Sequence, residues 1–165
     1  MSDKPNIILV ALDCARADHL SCYGYGRETT PFLDQVAREG VRFQHVISTS
    51  SWTLPAHASL LTGRFPSAHG ATDEHRFLLP RNRLLSEYLQ AAGYRTGAFC
   101  TNPWVSPPTG FGRGFDVFHT QRVGGRFAGR ATFFARKASD RVLGRDDSGA
   151  RRTNRALLSW LEAGC

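Results

Sequence analysis

The stretch Ser50-Ser51-Trp52-Thr53-Leu54-Pro55-Ala56-His57-Ala58-Ser59-Leu60-Leu61-Thr62-Gly63-Arg64 reads as a hydroxyl placed at a helix start. Proline suits the first helical position, because its missing N–H has no partner to lose there and its φ is already helical. That puts Pro55 at the first position, extends Leu54 before it, and leaves Thr53 just outside the helix. Gly63 is the expected left-handed stop. The helix so defined is about two turns long, with Ala58, Leu60 and Leu61 as its apolar surface. Its start favours negative charge, since the first N–H groups and the helix dipole point there. His57 lies four residues after Thr53, so the two residues can face each other across one turn. On its own the window also fits a Ser/Thr-rich loop leading into an ordinary helix. The rest of the chain has to decide.

Outward from this window, the flanking segments alternate in an α/β pattern. Asn6-Ile7-Ile8-Leu9-Val10-Ala11-Leu12 is a short apolar run that suits a strand buried on both faces of a parallel sheet. Asp13 follows at the carboxyl end, where open α/β sheets gather ligands. A turn aspartate would look the same. Thr30-Pro31 opens a helix, with Thr30 as N-cap, apolar positions Phe32, Leu33, Val36 and Ala37, and Gly40 as its stop. Residues 41–48 read as a second strand, in which His45 is half buried. A turn follows at residues 65–70, where His69 and His75 fit solvated loop histidines, their spacing not being that of a zinc site. Leu84, Leu85, Tyr88 and Leu89 predict a helix ending at Gly93. Residues 94–100 predict a third strand, with Thr101-Asn102-Pro103-Trp104 leaving its carboxyl end. Residues 111–118 are rich in glycine and aromatics without a dinucleotide fingerprint. Residues 121–155 carry many arginines, which fit a solvated helix face better than a nucleic-acid patch, while Phe127, Phe133 and Phe134 suggest a packed lid. Ala156, Leu157, Trp160 and Leu161 mark a last helix.

Composition bounds the rest. A chain of 165 residues suits one domain, and 41% apolar content supports a core. The net charge of +7 permits attraction to phosphate or sulfate groups without specifying a fold. Cys14, Cys22, Cys100 and Cys165 form no CxxC pair and read as buried free thiols in a reducing compartment. No run has the length of a membrane span, and no leader is visible, so a cytoplasmic location is the default expectation. Gly164 ends the last helix where a βα repeat would supply a strand. The sequence therefore reads as the N-terminal part of a larger domain: residues 1–120 catalytic, residues 121–165 an Arg-rich helical insert and helix.

Several segments together resemble the sulfatase family of the alkaline-phosphatase superfamily. They are residues 6–13, Arg16-Ala17-Asp18-His19-Leu20-Ser21-Cys22-Tyr23-Gly24, Thr30-Pro31-Phe32-Leu33-Asp34, Gly40-Val41-Arg42-Phe43, the Thr53–Arg64 window, residues 89–96 and Gly112-Arg113-Gly114-Phe115-Asp116. They run in order over roughly the first two-thirds of the chain, a specific signal. The resemblance implies an α/β fold with a doubly wound, mostly parallel sheet and helices on both faces, present here incompletely. It implies metal-assisted attack on a phosphate or sulfate ester. Asp13 and Thr53 would contact a divalent ion (Mn, Zn, Mg or Ca), and Thr53 would be the nucleophile. His57 would orient Thr53 or move a proton, and Asn102 would donate to a substrate oxyanion.

Four departures from the family pattern matter. Thr53 stands where Cys or Ser is oxidised to formylglycine, and no aldehyde can form from it. His57 stands for an arginine. Cys14 stands for a second aspartate and is a soft ligand for calcium. Thr101-Asn102-Pro103-Trp104 stands for a lysine- and histidine-bearing segment. All four point to threonine-nucleophile relatives, the phosphodiesterases and phosphoglycerol transferases of the lipoteichoic acid synthase type. The substrate would be a small or polymeric phosphate or sulfate ester, with no nucleic-acid partner and no membrane segment in this chain. With further ligands expected beyond residue 165, this chain alone would be inactive or nearly so. Sulfate-ester hydrolysis without formylglycine and a non-catalytic anion-binding module are the alternatives.

Overall fold

A computed structural model of the chain describes residues 4–120 and 149–164. The chain divides into two compact units, residues 1–47 and 48–165. The boundary expected at residue 120 adjoins residues 121–148, and the expected lid and most of the arginine-rich insert lie outside the described residues.

The first unit is built around helix α1, Pro31–Glu39, preceded by two short 3-10 turns at Ala17–His19 and Ser21–Tyr23. Pro31 opens the helix as expected. Thr30, however, makes no side-chain cap. Its hydroxyl instead lies 3.0 Å from the Ser21 hydroxyl and 3.2 Å from Asp34 Oδ1. The serine hydroxyl also takes the Thr30 N–H at 3.2 Å, tying the turn to the helix start. The Asp34 carboxyl sits below its ordinary range, chiefly through the Ser21 hydroxyl. Gly40 ends α1 with φ −121°, so the stop is not left-handed.

Two expected strands do not form. Residues 6–12 and 41–48 join no hydrogen-bonded ladder. Ile8 and Val10 are 77% and 71% exposed, and Val41 and Ile47 are 82% and 91% exposed. An apolar run becomes a strand only where a neighbouring backbone pairs with it. The sequence pattern records the tendency but cannot supply the neighbour. Cys14 is likewise exposed, against the expected burial.

In the second unit α2 runs Thr53–Thr62, α3 Pro66–His69, α4 Leu85–Ala91 and α5 Ala150–Glu162, with strands β1 Gly97–Cys100 and β2 Val117–Thr120. The strands pair in parallel, Gly97 opposite Val117 and Cys100 opposite Thr120. Parallel neighbours need a crossover of a dozen or more residues, and residues 101–116 provide it with a short 3-10 turn at Pro107–Thr109. The described residues thus form an α/β structure with a parallel sheet. β2 was hidden in the glycine- and aromatic-rich stretch, because it is four residues long and has no alternation to detect. Asp116 fixes its entry, accepting the Thr96 N–H at 2.8 Å and the Gln90 amide at 2.8 Å. These donors hold its carboxyl below the ordinary range.

Leu54 and Ala58 of α2 form the core with Ala71, Leu78, Leu84, Val105 and Phe111. Each fully buried large side chain here contributes roughly 1.5–3 kcal/mol by leaving water. α5 packs on β1 through Trp160, whose ring lies 5.8 Å from that of Phe99 and fills the space over Gly97. α4 is entered through Leu84 as N-cap, whose N–H is taken by Glu87 Oε2 at 2.8 Å. Leucine has no acceptor to return, so this is half of a capping box. Arg113 reaches the same Glu87 oxygen at 3.0 Å and donates to the carbonyl oxygens of Pro80 and Asn82 at 3.1 and 2.9 Å.

Gly114 and Gly63 separate two costs. Both have positive φ, 72° and 66°. A Cβ on Gly114 would land in the Glu87 backbone, whereas one on Gly63 meets nothing within 4 Å. Gly63→Ala should therefore destabilise by about 1–2 kcal/mol, the left-handed cost alone. Gly114→Ala should add overpacking of about 1–3 kcal/mol. Urea denaturation of both variants checks the order.

Candidate active site

The candidate nucleophile begins α2. The helix starts at Thr53 itself, two residues before the expected position, so Pro55 is its third residue. The physical reason for the tolerance is unchanged, because the first backbone N–H groups of a helix lack partners. The first helical bond runs from the Ala56 N–H to the Trp52 carbonyl at 3.2 Å. The N-cap is Trp52, extended at φ −114° and ψ 144°, and no side chain caps the helix. Ser, Thr, Asp or Asn usually fills that place. The electropositive start of a ten-residue helix is thus left without an internal acid or hydroxyl cap. Gly63 closes the helix in the left-handed region, as the sequence predicts.

His57 is half buried and meets Thr53 through the main chain: Nδ1 lies 2.9 Å from the Thr53 carbonyl oxygen. A carbonyl only accepts, so Nδ1 carries the proton and Nε2 of the neutral ring holds the lone pair. The expected contact across one turn exists, with the carbonyl of Thr53 as the bonded atom.

Asn102 is set by a tight turn after β1. Its Oδ1 accepts the Trp104 N–H at 2.9 Å, and its own N–H lies 3.4 Å from Cys100 Sγ. Oδ1 is committed to the turn, and the NH₂ is the donor end of this amide. Trp104 then meets Trp52 edge to face, ring centroids 5.3 Å apart. The residue preceding Thr53 and the residue two after Asn102 are therefore packed together. The Arg76 guanidinium lies over both rings, 5.7 Å from Trp52 and 5.6 Å from Trp104. Each such contact is worth about 0.5–1 kcal/mol at an exposed site. Sequence reasoning did not single out Arg76 or Trp52. Arginine at residue 76 has no motif spacing to either tryptophan, and only folding brings the three together.

Asp13 belongs to the first unit. It sits in the turn closed by the Ala15 N–H on the Leu12 carbonyl at 3.2 Å. Cys14 beside it has φ 64°, a left-handed conformation that is uncommon for a residue with a side chain.

A protein-family model described as Sulfatase matches residues 5–143. The chain belongs to the sulfatase family. Among curated relatives it is 33% identical over 108 residues to an N-acetylglucosamine-6-O-sulfatase of Bacteroides thetaiotaomicron, covering 66% of this chain and 19% of that protein. It is 39% identical over 99 residues to Arylsulfatase A of Homo sapiens, covering 56% and 20%. It is 33% identical over 103 residues to Steryl-sulfatase of Mus musculus, covering 56% and 16%. The chain spans about a fifth of the length of the first two. No solved structure matches. No described helix is long and apolar enough to cross a membrane.

Sulfatases generally use a divalent metal. Asp13 and Thr53 are oxygen donors of the right hardness, but among the described residues no group of three or more His, Cys, Asp or Glu side chains could hold an ion. Metals usually take more protein ligands than two, so these residues do not complete a metal site.

The Ser59–His69 pair has a different role. His69, expected in solvent, is fully buried, and its Nε2 lies 3.1 Å from Ser59 Oγ. Nδ1 accepts the Ala71 N–H at 3.0 Å, so Nε2 carries the proton and cannot take one from the serine. Asn82 Nδ2 donates to the His69 carbonyl at 2.7 Å. This imidazole ties α2 to α3 and is structural. Burial pushes its pKa below the ordinary 6.5, opposed by the Pro55 carbonyl. In the unfolded chain the ring takes a proton near pH 6.5, while in the folded chain it resists to lower pH. Stability from this group is full above pH 6.5 and falls as the pH drops through the window below it. Urea midpoints at pH 7.5, 6.5 and 5.5 should show that loss in the native chain and a weaker one in His69→Gln.

Proposed function

We propose that this chain carries the nucleophile-bearing part of a sulfatase-type ester hydrolase, with the Thr53 hydroxyl as attacking group. The observation that carries the reading is the placement of Thr53 as the first residue of α2, next to an N-cap that supplies no acceptor of its own. Negative charge at that oxygen is favoured by the helix start. His57 is the proton partner, since its Nδ1 is pinned by the Thr53 carbonyl and its Nε2 bears the lone pair. The NH₂ of Asn102 donates to a non-bridging ester oxygen.

The Thr53 hydroxyl loses its proton towards His57 Nε2 and its oxygen bonds to sulfur or phosphorus. The ester bond to the leaving alcohol breaks, and the alcohol departs with the proton that His57 took up. Water then attacks the threonine ester, releasing sulfate from a sulfate monoester or a phosphate monoester from a phosphodiester, and restoring the hydroxyl. Asp13 and Thr53 are the donors assigned to a divalent ion on their sequence position.

Sulfate esters are the first substrate class, because the named relatives are sulfatases. Thr53 itself favours a second, phosphodiesters. Its Cβ carries a methyl group, so oxidation cannot give an aldehyde, and a plain alkoxide leaves both esters open. A cytoplasmic location stays part of this proposal.

Turnover of p-nitrophenyl sulfate and bis-p-nitrophenyl phosphate, with manganese, magnesium or calcium added, tests the reading. The 165-residue chain should turn over neither ester appreciably, because its described donors fall short of a metal site. In the longest natural reading frame that contains it, Thr53→Ala should lower kcat/KM by at least about 10³-fold, and Thr53→Ser should retain most of it. Unchanged turnover in Thr53→Ala would remove Thr53 as the nucleophile.

A further inference from the structure

We propose that Arg76 is the anion-binding cation of this site, held by Trp52 and Trp104 to receive the sulfate or phosphate oxygens of a ligand. The proposal rests on the reading of Thr53 as the attacking group, and it adds the residue that would bind the charge of the ester.

Three observations converge. The guanidinium lies over the two indoles that flank the candidate groups: Trp52 directly precedes Thr53, and Trp104 follows Asn102 by two residues. Second, the long arginine stem is held in place. Nε donates to the Asp73 carbonyl at 3.0 Å and Nη2 to the Asp73 carboxylate at 3.2 Å. Among the described residues Nη1 has no such bond. Third, the side chain is 56% exposed and its aspartate partner 81% exposed. A guanidinium over these rings, 5.6–5.7 Å from their centroids, still offers N–H donors to an oxyanion, and arginine matches tetrahedral oxyanions with paired N–H donors. The ring contacts and the bonds to Asp73 restrict the fork before any ligand arrives, so less side-chain entropy is lost on binding.

Asp73 is the competitor. Its carboxylate occupies one nitrogen of the fork and partly cancels the charge, while its main-chain carbonyl positions Nε. The two contributions can be separated. Asp73→Asn keeps the main-chain bond and removes the competing charge, so it should bind an anion more tightly. A purely structural Arg76 makes the opposite prediction, because loss of its ion pair would only loosen the segment.

Two of the three tryptophans in the chain lie in this cluster, so tryptophan emission reports binding directly and without turnover. The probes are sodium sulfate and sodium phosphate, titrated into the 165-residue chain at constant ionic strength held with sodium chloride. Saturable change in emission is expected with either anion and not with chloride. Arg76→Gln should weaken it at least tenfold, Arg76→Lys should retain part, and Asp73→Asn should tighten it severalfold. Thermal melts identify any variant that fails to fold, and Arg76→Lys with Asp73→Asn keep the test open in that event. Wild-type affinity in a folded Arg76→Gln, or unchanged or weaker binding in Asp73→Asn, would overturn the proposal. If ester turnover survives Thr53→Ala while Arg76→Gln still loses the anion, the nucleophile assignment fails and the anion site stands.

Discussion

The second unit depends on where α2 is anchored. Leu54 and Ala58 are fully buried, and the next residue, Ser59, turns its hydroxyl to the buried ring of His69. One apolar row and one buried hydrogen bond therefore fix both the axis and the rotation of a ten-residue helix. That fixing matters at the other end. A helix start can hold negative charge only if it cannot swing away, and Thr53 is one residue from Leu54. The burial of Leu54 is thus as much a positioning device as a source of stability. No side chain caps α2 at Trp52, so core packing at Leu54 holds an electropositive helix start in place.

Local signals in the sequence located this device well. Pro55, Gly63 and the apolar positions between them act within one or two turns, and their meaning does not depend on distant chain. The helix over 53–62 and its left-handed stop follow from them, as do α1 from Thr30-Pro31, the helix ending near Gly93, and α5. The error of two residues at the start of α2 has a local cause. Any of the first few helical positions tolerates proline, so the residue alone does not choose among them. The half-formed capping arrangement at Leu84 shows the same limit, since Glu87 satisfies the start of α4 without a conventional cap residue.

Non-local features were much less legible. His69 looks like a loop histidine between Pro66 and Gly70, yet the packing of Ala71 and Asn82 around it buries the ring completely. Arg76 looks like one of many surface arginines until Trp52 and Trp104 are brought under it. The apolar runs at 6–12 and 41–48 err in the other direction. Ile7, Ile8, Leu9 and Val10 have strand propensity, but pairing needs a second backbone, and propensity carries no information about one. In each case the missing information is the identity of a partner many residues away.

The same distinction bears on chemistry. α2 meets two histidines, His57 through the Thr53 carbonyl and His69 through the Ser59 hydroxyl. Hydrogen-bond direction separates them. At His69 an amide N–H occupies Nδ1, forcing the proton onto Nε2 and making the ring a donor to Ser59. At His57 a carbonyl occupies Nδ1, which forces the proton there and leaves Nε2 as a base. One ring is sealed in the core and the other is half exposed. The polarity of one backbone group therefore decides which imidazole can accept a proton. In the proposed function His57 is therefore the proton partner of Thr53, while His69 holds the helix that presents it.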